Sequence, residues 1–376
     1  MKKTKPSRPS EHLPKTVSLK SIAEHLGLSK ATISAVINDA PPARSIPKST
    51  KDRIFKAVEE MNYRPNFYAR SLRQKRTYTI GVLVRDVSEG YNASVLSGIE
   101  DQLANEEFLY FVASHRGNPA LVLKYREVLL SRGVEGLILV NTPACGAVSL
   151  PVVAVSGDRH DKSATNIVLD HRRAGYIALE HLAGLGHRRI AFFKGQPGSG
   201  DTEPRWQGIL HAAKALGIEI DPDLCIQLQA TSGAPQPSTP EEGYLYAEKL
   251  LERRKPFTAL FAFNDVSAIG AISAFRDSGL RVPEDVSVVG FDDIRSAAFQ
   301  NPRLTTVRQP LHAMGSLAAS TLLEQIAAGK SAPAPIYVNP ELIVRESTCI
   351  ANHHPKSVLR RSTGSFSSAA RAVQRT

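Results

Sequence analysis

The sequence predicts an α/β protein in which a small helical domain precedes a larger body of parallel β-sheets. A helix-turn-helix pattern lies close to the N-terminus, and from residue 77 onward apolar runs alternate with amphipathic stretches. Such alternation is typical of parallel strands that are covered by helices on both faces. Because about 270 residues exceed a usual single core, we expect two lobes of doubly wound parallel sheets in this second part.

The first predicted elements are two short helices around a glycine turn. Gly27 supplies the turn, and Ser29 can cap the second helix. Apolar residues at helical spacing mark the inner faces: Ile22, Ala23 and Leu26, then Ile33, Val36 and Ile37. The outward residues of the second helix, where a recognition helix meets the major groove, are predicted to be Lys30, Ala31, Ser34 and Ala35. A helical hairpin without a DNA-related role is the alternative.

The charge distribution favours DNA binding. Residues 1–77 carry 17 Lys and Arg against 6 Asp and Glu, which is +11, the net charge of the whole chain. Residues 78–351 carry 25 basic against 30 acidic side chains, and residues 352–376 carry five basic and no acidic ones. A basic head on a mildly acidic body is typical of a protein that contacts the phosphate backbone.

A third helix and a short linking segment complete the head. Residues 47–61 predict a helix with Pro47 in its first turn. Its predicted inner residues are Ile54, Ala57, Val58 and Met61. Residues 62–73 have helical potential but too little length for a helix that is stable alone.

These motifs resemble the lactose-repressor (LacI/GalR) family of bacterial transcription regulators. In the head, the resemblance rests on residues 17–38, on Tyr63-Arg-Pro-Asn66 and on Ala69-Arg-Ser-Leu-Arg73. In the body, matching motifs follow in the expected order at residues 79–81, 133–139, 181–190, 263–265, 279–293, 304–310 and 342–347. The family implies a periplasmic-binding-protein-like core behind the DNA-binding head.

The resemblance implies how DNA is bound. Residues 66–76 look like the family's hinge helix, and Leu72 would be the leucine that enters the minor groove and unstacks a base step. Without the resemblance, Leu72 is simply a linker leucine. The DNA-contacting residues that we expect are Ser29, Lys30, Ala31, Thr32, Ser34, Ala35, Asn38, Tyr63, Asn66, Ala69, Leu72 and Arg73.

Two departures from the family pattern concern the operator sequence. The family usually has Arg or His where this chain has Ala35, so a base contact is missing there or is replaced by apolar contact with a thymine methyl. The loop of residues 39–45, which contains Pro41-Pro42, is longer than usual.

The body is predicted to contain eight strands and seven helices. The strand candidates are Thr79–Val84, Leu109–Ala113, Val134–Val140, Val152–Val155, Asn166–Leu169, Arg189–Phe193, Ala259–Phe263 and Val286–Gly290. Helical patterns cover residues 91–106, 119–132, 171–185, 204–216, 241–254, 266–279 and 311–328.

In a core of this kind, a ligand lies in the cleft between the lobes, beyond the carboxyl ends of the strands. The resemblance places effector contacts at Arg205, Asn264, Asp292 and Gln309, and position alone adds Ser88 and Ser156. The alternative for Asp292 and Gln309 is that they cap backbone groups. Adjacent Asp292 and Asp293 do not form a catalytic pair, because neighbouring residues at a strand end point in opposite directions.

The expected effector is a carbohydrate of mono- or disaccharide size. Arginine, carboxylate and amide groups suit hydroxyls. Trp206, Tyr91 and Phe299 lie near the predicted cleft loops and offer aromatic faces to a hydroxyl-rich ring. Most of the family answers to sugars or sugar phosphates, and a purine or another non-sugar effector is the alternative.

We expect six segments along the chain. They are a basic extension (1–16), the DNA-binding domain (17–65), the hinge helix (66–76), lobe 1 (77–170 with 308–338), lobe 2 (171–307 with 339–350) and a basic tail (351–376). The expected state is a cytoplasmic homodimer on a near-palindromic operator.

The sequence lacks the patterns of a metal protein, a secreted protein and an enzyme. Three scattered Cys and eleven His give no metal spacing, so we expect no metal and no cofactor. Residues 1–14 have no apolar segment of the signal-peptide type, which disfavours a secreted solute-binding protein of the same core fold. An enzyme is disfavoured because no acid–base or nucleophile set is present.

Overall fold

The structure is a computed structural model that describes residues 17–64, 71, 76–88, 90–158, 161–197, 199–229, 239–329 and 333–352. The chain divides into two compact units, Met1–Arg76 and Thr77–Thr376. Within the described residues, no helix is both long and apolar enough to span a membrane.

The first unit has the predicted helix-turn-helix. Its helices are α1 (Leu19–Leu26), α2 (Lys30–Ile37) and α3 (Lys48–Glu60). Gly27 ends α1 with φ +66°, a left-handed conformation that glycine adopts without strain. The fully buried Ile22, Ile33 and Ile54 bring one side chain from each helix into the core. The predicted inner faces are therefore confirmed.

The prediction that Ala35 points outward is wrong. Ala35 is 7% exposed and belongs to the core of the first unit together with Ala43. The long loop explains this: Pro41–Ser45 forms a 3₁₀ helix that packs on α2, and the amide of Ala40 donates to the carbonyl of Ala35 at 2.9 Å. The inserted loop therefore covers the side of α2 on which Ala35 lies.

The second unit contains two six-stranded sheets, which define two lobes. Lobe 1 has the strand order β11-β5-β4-β3-β1-β2. Its strands are β1 (Thr79–Val84), β2 (Leu109–Ser114), β3 (Gly136–Val140), β4 (Val152–Val155), β5 (Thr165–Leu169) and β11 (Ile336–Val338). All pairs in this sheet are parallel.

Lobe 2 has the strand order β12-β10-β9-β8-β6-β7. Its strands are β6 (Ile190–Lys194), β7 (Cys225–Gln227), β8 (Ala259–Phe261), β9 (Ser287–Asp292), β10 (Thr305–Arg308) and β12 (Glu341–Ile343). Only the β10–β12 pair is antiparallel among the described strands.

Helices cover both faces of each sheet, as the alternating pattern predicts. Lobe 1 has α4 (Gly90–Asn105), α5 (Pro119–Ser131) and α10 (Leu311–Ala328), with α4 and α10 packed together and α5 on the opposite face. Lobe 2 has α6 (His171–Gly184), α7 (Thr202–Leu216), α8 (Pro240–Glu252) and α9 (Asp265–Asp277). Here α6 packs on α7 and α8 on α9.

The chain crosses between the lobes three times, after β5, after β10 and after β11. Each lobe is therefore built from separate stretches of sequence. Polar residues follow the carboxyl ends of strands in both lobes, with Ser156 after β4 of lobe 1 and Gln309 after β10 of lobe 2.

Candidate functional site

The exposed face of α2 presents small and basic side chains. Ser29, Lys30 and Ala31 are exposed, while Thr32, Ser34 and Asn38 are half-buried. The Ser29 hydroxyl accepts from the amide of Thr32 at 3.0 Å, and the Asn38 side-chain amide donates to the carbonyl of Ser34 at 2.6 Å. The two ends of the helix are thus fixed by their own polar residues.

The other DNA-contact predictions differ in what the structure describes. Tyr63 is half-buried against the core of the first unit, and burial raises the pKa of its hydroxyl. Asn66, Ala69, Leu72 and Arg73 lie outside the residues whose placement is described.

Arg205 is the central side chain on the lobe-2 side of the cleft. It lies in the first turn of α7, is 3% exposed, and its guanidinium lies 3.6 Å from the ring centroid of Phe291 and 4.3 Å from that of Phe263. One Nη donates to the carbonyl of Phe263, and the other contacts Asp201 at 3.5 Å. Its Nε is buried and has no hydrogen-bond partner among the described residues. A free, buried N–H donor is costly unless a ligand completes it.

Asp201 connects Arg205 to the rest of the site. Its carboxylate is buried and lies 3.0 Å from Nε2 of His171. Burial acts to raise the pKa of Asp201, but His171, Arg205 and the hydroxyl of Ser156 outweigh it and lower that pKa. Asp201 is therefore ionised, although little water reaches it.

Asp292 and Gln309 lie together at the ends of β9 and β10. The side-chain amide of Gln309 donates to Asp292 at 2.6 Å, while its Oε1 is buried and accepts from no described group. Asp292 has φ +110°, a strained conformation for an aspartate and one that is common at functional sites. Asp293 turns away and pairs with Arg308 at 2.7 Å and Arg345 at 2.6 Å, so the divergence of the two carboxylates is confirmed.

Asp265 is a buried acid that sequence reasoning missed. It is fully buried and accepts from the hydroxyl of Thr306 at 2.6 Å and from the amide of Ile294 at 2.9 Å. Burial, followed by the charge of Asp292, raises its pKa well above the ordinary value. The motif Phe263-Asn-Asp265 was the available signal, but the sequence did not show that this carboxyl lies under the site.

Asn264 has a structural role that the prediction did not include. It is the N-cap of α9, where its side-chain oxygen accepts from the amide of Ser267 at 2.9 Å. The hydrogen bond fixes the start of the helix behind Asp265.

Tyr91 and Ser156 form the lobe-1 side of the site. The Tyr91 hydroxyl donates to Ser156 at 2.8 Å. Burial, followed by the charge of Asp201, raises the pKa of Tyr91, so its hydroxyl stays protonated. A hydrogen bond from Ser156 of lobe 1 also lowers the pKa of Asp201, which belongs to lobe 2. The two lobes therefore lie close together here.

One close backbone approach and one ordinary side-chain contact join the lobes. A Cβ at Gly200 of lobe 2 would lie 2.8 Å from the carbonyl oxygen of Gly157 in lobe 1, so only glycine fits. A Cβ at Gly90 of lobe 1 would lie 3.4 Å from the side chain of Ile294 in lobe 2, which is ordinary van der Waals contact. The lobes therefore contact each other beside Gly157 and beside Gly90.

Ser88 and Phe299 line a separate cavity at the mouth of the cleft. The cavity has a volume of about 890 Å³ and also includes Ser94, Thr239 and Arg295. Ser88 is exposed and donates to Asp86 at 2.6 Å, and Phe299 is 77% exposed. The structure thus places Ser88 at the entrance, apart from the other predicted ligand contacts.

The expectation that Trp206 offers its ring to a ligand is not supported. The ring lies 5.8 Å from that of Phe192, within the core of lobe 2, and Lys194 lies over it. Adjacent helical residues point in different directions, so Arg205 and Trp206 do not share a surface. Across the described parts of the chain, no group of three or more His, Cys, Asp or Glu could hold a metal.

Comparisons with known proteins agree with this architecture. The profile described as "Bacterial regulatory proteins, lacI family" matches residues 18–66, and a "Periplasmic binding protein-like domain" matches residues 179–348. The HTH-type transcriptional repressor PurR of Pasteurella multocida is 31% identical over 88% of this chain and 98% of its own length.

Two solved structures are similar over most of the chain. The lac repressor dimer, bound to operator and an anti-inducer, has a TM-score of 0.79 and 25% identity, and covers 89% of this chain and 100% of its own. The complex of the transcriptional regulator CelR with cellobiose has a TM-score of 0.64 and 26% identity, with 88% and 99% covered.

Proposed function

The chain belongs to the LacI family of bacterial regulatory proteins, and from this premise we propose that it is a dimeric repressor whose operator affinity is set by a carbohydrate in the interlobe cleft. The protein is a DNA-binding transcriptional regulator that responds to a small molecule. We further propose that it represses transcription, that it acts in the cytoplasm, that its effector is a carbohydrate, and that the residues named below bind the effector and the operator.

The proposal of a carbohydrate effector rests on two buried polar atoms of the site that lack hydrogen-bond partners in the part of the chain that the structure describes. Arg205 Nε offers a donor and Gln309 Oε1 an acceptor, both buried and both without a described partner. A hydroxyl group both donates and accepts, so neighbouring hydroxyls of a sugar can complete both atoms. The complex of the related regulator CelR with cellobiose supports this class of ligand. A purine stays the alternative effector, since a PurR repressor is among the relatives.

For DNA recognition, we propose base and phosphate contacts by the exposed face of α2 and by the hinge. Ser29, Lys30, Ala31, Thr32, Ser34 and Asn38 would face the major groove, with Tyr63, Asn66, Ala69 and Arg73 behind them. Leu72 would enter the minor groove. Ala35 is withdrawn from this set because it is buried.

We propose that a second copy of the chain covers the edge of lobe 1. The edge strand β2 exposes Leu109, Phe111 and Val112, and α5 exposes Leu123 and Val128. An uncovered apolar edge strand favours association with another chain. A symmetric dimer would place two copies of α2 on the half-sites of a near-palindromic operator.

Titration of operator binding against candidate sugars tests the effector site. Arg205→Ala and Asp292→Ala should each abolish the response yet bind operator like the wild type, because a buried polar partner left unpaired costs about 1–3 kcal/mol. Arg188→Ala, at an exposed arginine that donates to the backbone carbonyls of Ala183 and His187 in lobe 2, is the matched control. If both cleft variants respond like the wild type, the effector binds elsewhere.

A further inference from the structure

The 3₁₀ helix Pro41–Ser45 lies at the edge of the exposed face of α2. It packs on α2 where Ala35 lies, and its own Ala43 is 1% exposed in the same apolar cluster. With about 3.6 residues per turn, Ala35 lies about 40° around the helix axis from the exposed Ala31 and about 160° from the buried Ile33. The 3₁₀ helix is therefore on the opposite side of α2 from Ile33, next to the surface that carries Ala31.

The 3₁₀ helix has a well-defined shape. Pro41 and Pro42 restrict two of its backbone φ angles. The amide of Ile46 donates to the carbonyl of Ala43 at 3.1 Å, and the hydroxyl of Ser45 donates to the carbonyl of Pro42 at 3.0 Å. A side chain that this segment presents to solvent therefore starts from an ordered backbone, so less conformational entropy is lost when it binds a partner.

Arg44 is the charged side chain of this segment. It is exposed, whereas the preceding Ala43 is buried. Among the described residues, Arg44 makes no hydrogen bond and no ion pair, so its guanidinium is free to bind a partner in solution. Residues 40–51 also contain Lys48 and Lys51 and no acidic residue. The stretch that follows α2 thus adds positive charge beside the exposed face of that helix.

The position of Arg44 favours a phosphate partner over a base edge. The major groove is about 12 Å wide, and an α-helix with its side chains is about 10–12 Å across. When α2 fills the groove, a second helix at its side meets the wall of the groove, which consists of phosphates. The guanidinium has a fork of donors that fits the oxygens of a phosphate.

We propose that Arg44 binds a DNA phosphate at the edge of each half-site, so that the 3₁₀ helix Pro41–Ser45 extends the DNA-binding surface of α2. The inference rests on the proposed DNA contacts of α2 and adds one that does not depend on base sequence. The burial of Ala35 and Ala43 holds the 3₁₀ helix against α2 and places Arg44 beside the groove.

Fluorescence anisotropy of the full chain with a labelled duplex of random sequence tests this contact. Wild type, Arg44→Gln, Arg44→Lys and the control Lys56→Gln are titrated at several NaCl concentrations. Lys56 lies in the same domain and is 75% exposed, but it pairs with Glu60 at 3.7 Å, so Lys56→Gln measures the general effect of losing one positive charge.

The salt dependence of binding should change in Arg44→Gln. The slope of log affinity against log salt should become shallower by about 1 for each bound subunit, because one phosphate contact per subunit is lost. Arg44→Lys keeps the charge but not the fork, so it should keep the slope and bind more weakly. The Tm of Arg44→Gln should equal that of wild type, since the side chain is exposed. A change of slope in Arg44→Gln no larger than that in Lys56→Gln would overturn the proposal.

Selection from a duplex pool with a randomised centre distinguishes a phosphate from a base partner. Wild type and Arg44→Gln should select the same consensus sequence, because a phosphate contact weakens binding to all sequences alike. A preference that is lost at one base pair in Arg44→Gln would mean that Arg44 binds a base, and the phosphate assignment would be wrong.

Lys30→Gln separates failure of this inference from failure of the proposed face of α2. Lys30 is exposed at the start of α2 and belongs to the proposed DNA contacts. If Lys30→Gln weakens binding to the random duplex and Arg44→Gln does not, the face of α2 stands and the inference about Arg44 falls. If neither variant weakens binding, the proposed face of α2 is itself wrong.

Discussion

At the scale of single residues, two buried acids of the cleft have opposite protonation behaviour. Asp201 has cationic neighbours, and its pKa is lowered in spite of its burial. Asp265 has no cationic group within bonding distance among the residues that the structure describes, and burial and the charge of Asp292 raise its pKa. At neutral pH the site therefore contains an ionised Asp201 beside Arg205 and a carboxyl beneath it whose ionisation is opposed.

Asp265 makes stability depend on pH in a defined direction. Because its pKa is higher in the folded state than in the unfolded one, the stability that it contributes is complete at low pH. That contribution is lost as pH rises above the unfolded pKa of about 4. Asp265→Asn, which cannot ionise, should therefore gain Tm relative to wild type as pH rises from 4 to 8. Unfolding scans at several pH values measure this difference, with Asp277→Asn as a control. A difference that stays constant with pH would contradict the assignment.

The residues of the site that could be predicted are those that belong to recognisable sequence motifs. Asp292 and Gln309 follow apolar runs and lie at strand ends, and Arg205 begins a helix after a glycine-rich loop. The contacts of Arg205 with Phe263 and Phe291 could not be predicted, because they join α7 to the ends of two other strands.

At the scale of elements, apolar periodicity predicted the long helices and the buried strands. Each of these contains enough apolar residues to mark its period. The short strands β7, β10, β11 and β12 were missed, since three or four residues with polar members carry too little pattern. They become strands because neighbouring strands pair with them, which is a tertiary effect.

The packing of α2 against the 3₁₀ helix gives a matched pair of substitutions. Ala35 is buried and Ala31 is exposed on the same helix. Ala35→Leu must displace the Pro41–Ser45 segment and should destabilise the DNA-binding domain by about 1–3 kcal/mol. Ala31→Leu should change stability by less than about 0.5 kcal/mol. Urea unfolding of both variants, compared with the wild type and followed by circular dichroism, measures these differences in stability. Equal destabilisation by the two would contradict the burial of Ala35.

At the scale of the whole molecule, charge and fold are divided along the same boundary. The excess positive charge lies in residues 1–77, and the contacts divide the chain between Arg76 and Thr77. Composition alone could predict this division. Composition could not predict that the chain crosses three times between the two lobes of the second unit, because that topology depends on which strands pair.

This division predicts how DNA binding depends on salt and on truncation. Operator affinity should fall steeply with ionic strength, with a log–log slope on the order of −5 or steeper for a dimer, since each neutralised phosphate releases counterions. A fragment that begins at Thr77 keeps both six-stranded sheets and should still bind the effector, but it should not bind operator. Fluorescence anisotropy with labelled operator, repeated over a range of salt concentrations, measures both effects. The same fragment also tests the basic residues of the C-terminal tail: operator binding that survives the truncation and keeps the steep slope would place the main phosphate contacts there instead of in the N-terminal unit.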